Sequence, residues 1–362
     1  MKNLGFSRKK LIAIAATVVT LAASFGAYSV NAAGHIDLTA DVNISAAIGA
    51  GDASQFATSY EGEMVIDLYK IAELDESGNI KGLTPDFANS GAKLSVLSNK
   101  TSEDKDKKVE EVKTEIVEKV KPIAQSDAVK PTATITATKT KDGLTNATAT
   151  IAGGAGIYLF VPHDCSDADF NYTFTSYILY APTSDYITLG SGSDEWKYDA
   201  RFLLKSEAKP KYGNVIITKN LKTFNDSLGT ASFIFDVEAT RDSMTVFSNV
   251  YTLTFDKNDN YVDGAFTKSI TIDKVPAGTT ITVTEVYSGA SYNIDVEDNK
   301  TQTIEDLKAG ETGTVEFTND YDEHLKEGGI SVVNTFEKVE TTENGPANVE
   351  YNYTGNNLEG GN

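Results

Sequence analysis

Short runs in which Thr, Val, Ile, Tyr and Phe alternate with polar residues fill most of this chain, and clusters of Gly, Asn and Asp separate them. Successive side chains of an extended strand point to opposite faces, so this alternation suits half-buried strands and excludes a helical bundle. Residues 64–69, 132–138, 147–151, 157–161 and 172–179 read as strands on this basis. A second set follows Lys209-Pro210-Lys211-Tyr212-Gly213, at residues 214–221, 232–239, 250–255, 267–272, 280–287, 292–296 and 314–321. Seven strands in about 110 residues is the count of an immunoglobulin-like sandwich, here without its Cys…Trp…Cys signature.

One segment departs from the alternation. Residues 102–120 are heavily charged, with Val109, Val112, Ile116, Val117 and Val120 at helical spacing. Ser102 is placed to cap such a helix and Pro122 to stop it, which predicts an amphipathic helix lying on a sandwich. The expected fold is therefore all-β, two tandem immunoglobulin-like β-sandwich domains with one amphipathic helix inserted in the first. The predicted divisions are 1–33, 34–208 with the helix near 102–120, 209–340, and a polar, Gly/Asn-rich tail at 341–362 read as disordered.

Among 362 residues, 52 are acidic and 32 basic, a formal net charge of −20. That balance argues against nucleic acid or an anionic membrane as partner, because phosphate binding needs basic patches. A single cysteine, Cys165, excludes an internal disulfide and Cys-rich metal sites, and three histidines (His35, His163, His324) leave little for His-based catalysis. The first 33 residues read as a secretory signal: basic Arg8-Lys9-Lys10, an apolar Ala-rich stretch, then small residues around Val30-Asn31-Ala32. The competing reading is an uncleaved anchor, since about 20 apolar residues can span a bilayer. With the signal removed, no stable membrane span is expected, and the protein is secreted or held at the cell surface.

Strand phase singles out three polar side chains. Val215, Ile217, Lys219 and Leu221 share one face; so do Ile281, Val283 and Glu285; so do Val315, Phe317, Asn319 and Tyr321. A lysine, a glutamate and an asparagine are thus aimed inward, and an unpaired buried charge is very costly. Desolvation lowers a lysine's pKa and raises a glutamate's, so a neutral amine can coexist with a protonated carboxyl. Such an amine can attack the Asn319 carboxamide, with Glu285 polarising the carbonyl and shuttling protons, to give an amide and ammonia. The other reading is an ordinary Lys–Glu ion pair at a sandwich rim with Asn319 in a turn.

These segments resemble a known family. Val215-Ile-Ile-Thr-Lys-Asn220, Val283-Thr-Glu-Val286 and Glu316-Phe-Thr-Asn-Asp-Tyr321 are similar to the first strand, E-box and closing strand of collagen-adhesin B-type repeats of Gram-positive pilins and surface proteins. The resemblance implies an isopeptide bond between Lys219 and Asn319 with Glu285 as its catalyst. Asn334, in Val332-Val-Asn334-Thr-Phe336, is a rival acceptor. In the first half, Gly62-Glu-Met-Val-Ile-Asp-Leu-Tyr-Lys-Ile71, Gly156-Ile-Tyr-Leu-Phe160 and Tyr172-Thr-Phe174 resemble pilin N-terminal domains. Trp196-Lys-Tyr-Asp-Ala-Arg-Phe-Leu-Leu-Lys205 keeps the spacing of Trp and Lys in the pilin motif (Trp, three residues, Val, one residue, Val-Tyr-Pro-Lys) but replaces its middle. Lys205 lies out of phase with Trp196, Tyr198, Ala200 and Phe202, so it is expected to face solvent, where it could attack a sortase-bound acyl group.

The resemblance implies a secreted structural protein, a pilin or stalk subunit, whose partners are other pilin subunits and a sortase. It leaves open an adhesin or tip module binding a host matrix protein or glycan. Family subunits end in an LPXTG-like signal, which Gly355-Asn-Asn-Leu-Glu-Gly-Gly-Asn362 lacks. This leaves a truncated sequence, a free or noncovalently held module, or a subunit that only accepts a neighbour.

Weaker signals point to structure. Asp256-Lys-Asn-Asp-Asn260 with Asp263 has Tyr261 where a calcium loop needs Gly, and reads as a hairpin turn. His163 and Cys165 have no orienting third group, and Asp164, Asp167 and Asp169 read as a solvated loop. Lys70, next to an apolar strand, could take part in a second isopeptide bond with Asn171 as acceptor. No cofactor, metal or enzyme activity beyond self-directed bond formation is expected.

Overall fold

The computed structural model describes residues 35–97, 105–184, 195–259, 261–262, 264–295 and 300–323. The fold is predominantly β, and its buried apolar residues form two separate cores, one from Ile36 to Leu204 and one from Val215 to Phe317.

In the first core, a six-stranded sheet runs in the order Tyr177–Ala181, Gly156–Pro162, Gly62–Leu74, Ala133–Thr140, Gly143–Thr145, with Ile80–Leu83 also paired to the long Gly62–Leu74 strand. A three-stranded sheet centred on Val42–Ala47, between Asp199–Leu203 and Thr148–Ile151, packs against it, and a further three-stranded sheet joins Ser206–Pro210, Phe170–Phe174 and Cys165–Ser166. Gly156–Pro162 is buried along its whole length, which explains its continuous apolar sequence. Phe160 stacks on Phe202 at 4.0 Å between ring centroids, joining the two layers. The run at 172–179, expected as one strand, is two. Phe170–Phe174 pairs with Ser206–Pro210, and Tyr177–Ala181 pairs with Gly156–Pro162, so the chain changes sheets at Thr175-Ser176.

The amphipathic helix is present, with its apolar stripe inward: Val112, Ile116, Val117, Val120 and Ala124 are buried. Its end differs from expectation. The helix continues to Ala124 with Pro122 inside it, and a π-helical turn at Lys113–Val117 interrupts it. Pro122 falls in the last turn, where its missing N–H forgoes one intrahelical bond only. Ser102 lies outside the described residues.

The second core is a two-sheet sandwich. One sheet has the order Tyr261–Val262, Ala265–Pro276, Tyr212–Leu221, Thr312–Tyr321, Tyr292–Ile294, and the other Met244–Phe255, Ala231–Arg241, Thr279–Tyr287, Thr301–Leu307. The strand Thr301–Leu307 was not expected. Its pattern is exposed or half-buried at all but Leu307, so it shows little apolar alternation. First and last strands, Tyr212–Leu221 and Thr312–Tyr321, run parallel and side by side.

The two cores adjoin at Lys211. Its N–H donates to Asp169 O at 2.7 Å, and its carbonyl accepts from Ala277 N at 2.9 Å. The Arg241 guanidinium lies 4.5 Å from the Phe170 ring centroid. Gly278 (φ +65°) packs so closely on the Asp169 carboxylate that no Cβ fits.

Phe160→Ala is expected to destabilise the first core by about 3–5 kcal/mol, the usual cost of emptying an aromatic core position. Urea denaturation followed by a probe in that core measures it, and a loss below about 1 kcal/mol would contradict the stacking seen here.

Candidate functional site: a buried amine, acid and amide

The lysine strand, Tyr212–Leu221, alternates buried and half-buried positions, with Val215, Ile217, Lys219 and Leu221 facing the core. The neighbouring strand, Thr312–Tyr321, turns Val315, Phe317 and Asn319 inward. Their parallel register sets Lys219 opposite Phe317 and Leu221 opposite Asn319, so lysine and asparagine stand diagonally on one face. Glu285 comes from the facing sheet, on Thr279–Tyr287 in phase with Ile281 and Val283. Strand phase aims all three inward, and register and the facing of the two sheets bring them together in the sandwich interior rather than at a rim.

Lys219 and Asn319 are 0% exposed and Glu285 1%. Lys219 Nζ donates to Glu285 Oε2 at 3.1 Å. Asn319 Nδ2 donates to Glu285 Oε1 at 2.9 Å and to the Ser288 carbonyl at 3.2 Å. The carboxylate therefore bridges amine and amide nitrogen. It does not contact the Asn319 carbonyl, as the carbonyl-polarising role would require; Oδ1 is buried without a hydrogen-bond partner. Lys219 Nζ also lies 4.8 Å from the Phe233 ring centroid.

Burial drives the Lys219 amine from 10.5 down to about 8, against the opposing pull of Glu285. Burial likewise raises the Glu285 carboxyl, against the opposing effects of Lys219 and Asn319. Both shifts favour neutral groups, which is the state in which an amine is a nucleophile and a carboxyl can give up a proton.

The other expected residues separate. Lys70 pairs with Glu73 at 2.7 Å, while Asn171 is exposed on a different sheet, opposite Lys209; the two are not brought together. The buried lysine of the first core is Lys139, which donates to Thr140 O at 2.6 Å and Tyr60 O at 3.4 Å. Its signal was in the sequence, since Lys139 shares the inward phase of Ile135 and Ala137. Its hydrogen bonds go to main-chain carbonyls, and Glu61 acts on it through charge without a hydrogen bond.

Ala200, Phe202 and Leu204 are buried, and Lys205, out of phase with them, is half-buried between the strands Asp199–Leu203 and Ser206–Pro210. Trp196 is half-buried against Gly78. Asn334, the segment 1–33 expected as a signal, and the expected tail at 341–362 lie outside the described residues.

Asp259 is held by Lys268 at 2.8 Å and by Asp256 N at 2.7 Å, as in a hairpin turn. His163 Nε2 pairs with Asp67 at 2.8 Å rather than with Cys165. Asp167 caps the Asp169 and Phe170 N–H groups and accepts from Tyr172 OH. Among the described residues no His/Cys/Asp/Glu cluster is arranged to hold a metal ion, and no helix is long and apolar enough to cross a membrane.

A family model described as a domain of unknown function, DUF5979, matches residues 215–322, a span that contains all three buried polar residues. No curated protein matches the chain. Among solved structures, the chain is similar to the minor pilin of Streptococcus agalactiae, at 13% identity and TM-score 0.20 over 80% of this chain and 99% of that one. It is also similar to a streptococcal ancillary pilin, at 12% identity and TM-score 0.23 over 78% and 69% of the two chains. A major pilin of Streptococcus pyogenes shows 11% identity and TM-score 0.24 over 79% and 99%.

Because Lys219 binds its proton less tightly when folded, the unfolded chain holds more protons between about 8 and 10.5, and stability rises with pH across that window. Asn319→Ala keeps the amine–acid pair and removes the carboxamide. Its thermal midpoint is expected to rise from pH about 8 to about 10 relative to Lys219→Met/Asn319→Ala, a comparison that cancels the tyrosines. Parallel midpoints would mean that the amine is not desolvated.

Proposed function

We propose that this chain is a secreted cell-surface structural subunit of the pilin type, whose second sandwich welds itself through an amide between Lys219 and Asn319. The observation that carries the reading is the bridge from a fully buried amine through one carboxyl to a fully buried carboxamide. An ion pair alone would not require the third member.

In the proposed step the neutral Nζ attacks Asn319 Cγ, an N–C bond forms and the Cγ–Nδ2 bond breaks. One amine proton passes to Glu285 Oε2 while Oε1 gives its proton to the departing Nδ2. Ammonia leaves and the carboxyl is regenerated. Packing supplies the effective concentration, so no outside catalyst is needed. The bond would close a loop of roughly 100 residues, worth about 4–5 kcal/mol in the chain-entropy model.

Tryptic mapping of the full chain is expected to yield one joined peptide containing Lys219 and Asn319, lighter by one ammonia than the sum of its parts. In Glu285→Ala, trypsin should cleave after the free Lys219 and release the Asn319 peptide on its own. Unjoined wild-type peptides would end the reading.

The rate has a pH signature. The ion pair and the neutral amine–acid pair hold the same number of protons, so condensation is level while the pair keeps its shared proton. Above about 8 that proton is lost and Glu285 can no longer supply it. The rate in freshly synthesised protein is then expected to fall by about tenfold per pH unit. A rate that climbs with pH above this point would assign Glu285 no acid role.

Lys205 supports the polymer part of the reading as a half-buried lysine just before the strand Ser206–Pro210, which leads to the junction of the two cores. With a class C sortase and a neighbouring subunit as acyl donor, covalent multimers are expected. Lys205→Ala should abolish them, and a ladder that survives it would place the joining amine elsewhere.

A further inference from the structure

We infer that the Ser288 main-chain carbonyl is the positioning group that turns the leaving nitrogen of Asn319 toward Glu285. The inference rests on the condensation proposed above.

A carboxamide can sit in its pocket two ways, related by exchanging nitrogen and oxygen. Glu285 does not choose between them: as a carboxylate it accepts from N–H, and as an acid it donates to C=O. A main-chain carbonyl only accepts. Asn319 Nδ2 spends one N–H on Glu285 Oε1 at 2.9 Å and the other on Ser288 O at 3.2 Å. In the exchanged orientation Oδ1 would face the Ser288 oxygen with no hydrogen between them, a costly clash of acceptors in a buried site. The departing nitrogen would then lie away from the proton donor. Ser288 follows the glutamate strand by one residue, so a single segment supplies both the acid and the group that aims its target.

The turn carrying this carbonyl is fixed on both sides. Gly289 has φ +88°, and a Cβ there would come within 2.9 Å of the Tyr292 ring and 3.4 Å of the Phe233 ring. Ser291 O accepts from Asp322 N at 3.0 Å. Tyr292 and Ile294 pair with Tyr321 and Asn319, tying the turn to the asparagine strand.

The test follows the joined peptide over time after cell-free synthesis of the full chain. Gly289→Ala strains the left-handed turn and displaces the Ser288 carbonyl while leaving Lys219, Glu285 and Asn319 in place. Condensation is expected to slow by about tenfold or more. The fall above pH about 8 should persist, because the proton donor is unchanged. A folded Gly289→Ala chain that condenses at the wild-type rate overturns the positioning role, whereas a wild-type chain that never joins overturns the condensation itself.

A crystal structure of the Lys219→Met variant, whose trio cannot react, gives a second reading that does not depend on Gly289→Ala folding. A carboxamide atom of Asn319 within about 3.5 Å of the Ser288 oxygen must be nitrogen, since two acceptors do not approach so closely. A carboxamide well beyond hydrogen-bond reach of that oxygen overturns the proposal.

Discussion

A lysine amine taken wholly out of water is the constraint around which the second sandwich is organised. Lys219 is fully buried, with its amine over the Phe233 ring and on the same strand face as Val215 and Ile217, where an isolated charge would be intolerable. Glu285, from the opposite sheet, meets it at 3.1 Å, and burial pushes both toward their neutral forms. Removing one partner of such a pair typically costs about 3–5 kcal/mol, because the other is left stranded. The two sheets are thereby held in one register relative to each other, and Asn319 is brought to the same carboxylate.

Topology gives the proposed bond its mechanical meaning. The chain enters the sandwich along Tyr212–Leu221 and leaves along the parallel neighbour Thr312–Tyr321. A pull on the two ends loads these strands in shear along their length. An amide between them would carry that load from one strand to the next, and the residues between Lys219 and Asn319 would lie outside the force path. The junction at Lys211 continues the same line into the first core, where Arg241 on Phe170 and Gly278 on Asp169 leave little space between the two units.

A buried lysine by itself would not suffice for the proposed bond, and the first core holds one whose hydrogen bonds go to main-chain carbonyls. Lys139 is buried too, though its amine sits less deep than that of Lys219, and burial lowers its pKa against the opposing pull of Glu61. Its amine, however, donates to the carbonyls of Tyr60 and Thr140, which can take a hydrogen bond but cannot be displaced or return a proton. Strand phase identified Lys219, and the same phase marks Lys139 beside Ile135 and Ala137. Lys70, chosen for standing next to an apolar run, emerges half-buried with Glu73 as its partner. Alternation reports which face a side chain occupies and is silent on what stands across from it.

Period-two patterning marked most of the second sandwich's strands and the inward aim of Lys219, Glu285 and Asn319, and helical spacing marked the stripe from Val109 to Val120, because burial of alternating or i, i+3/i+4 apolar groups is a local property of the chain. Where the helix ends, where the run at 172–179 breaks between sheets, and that the weakly patterned strand Thr301–Leu307 exists were decided by packing and by hydrogen bonds to distant strands. The diagonal pairing of Lys219 with Asn319, the bridging carboxylate and the Ser288 carbonyl that orients the amide belong to the tertiary structure for the same reason. Each depends on inter-strand register and on a main-chain oxygen, neither of which side-chain identity encodes.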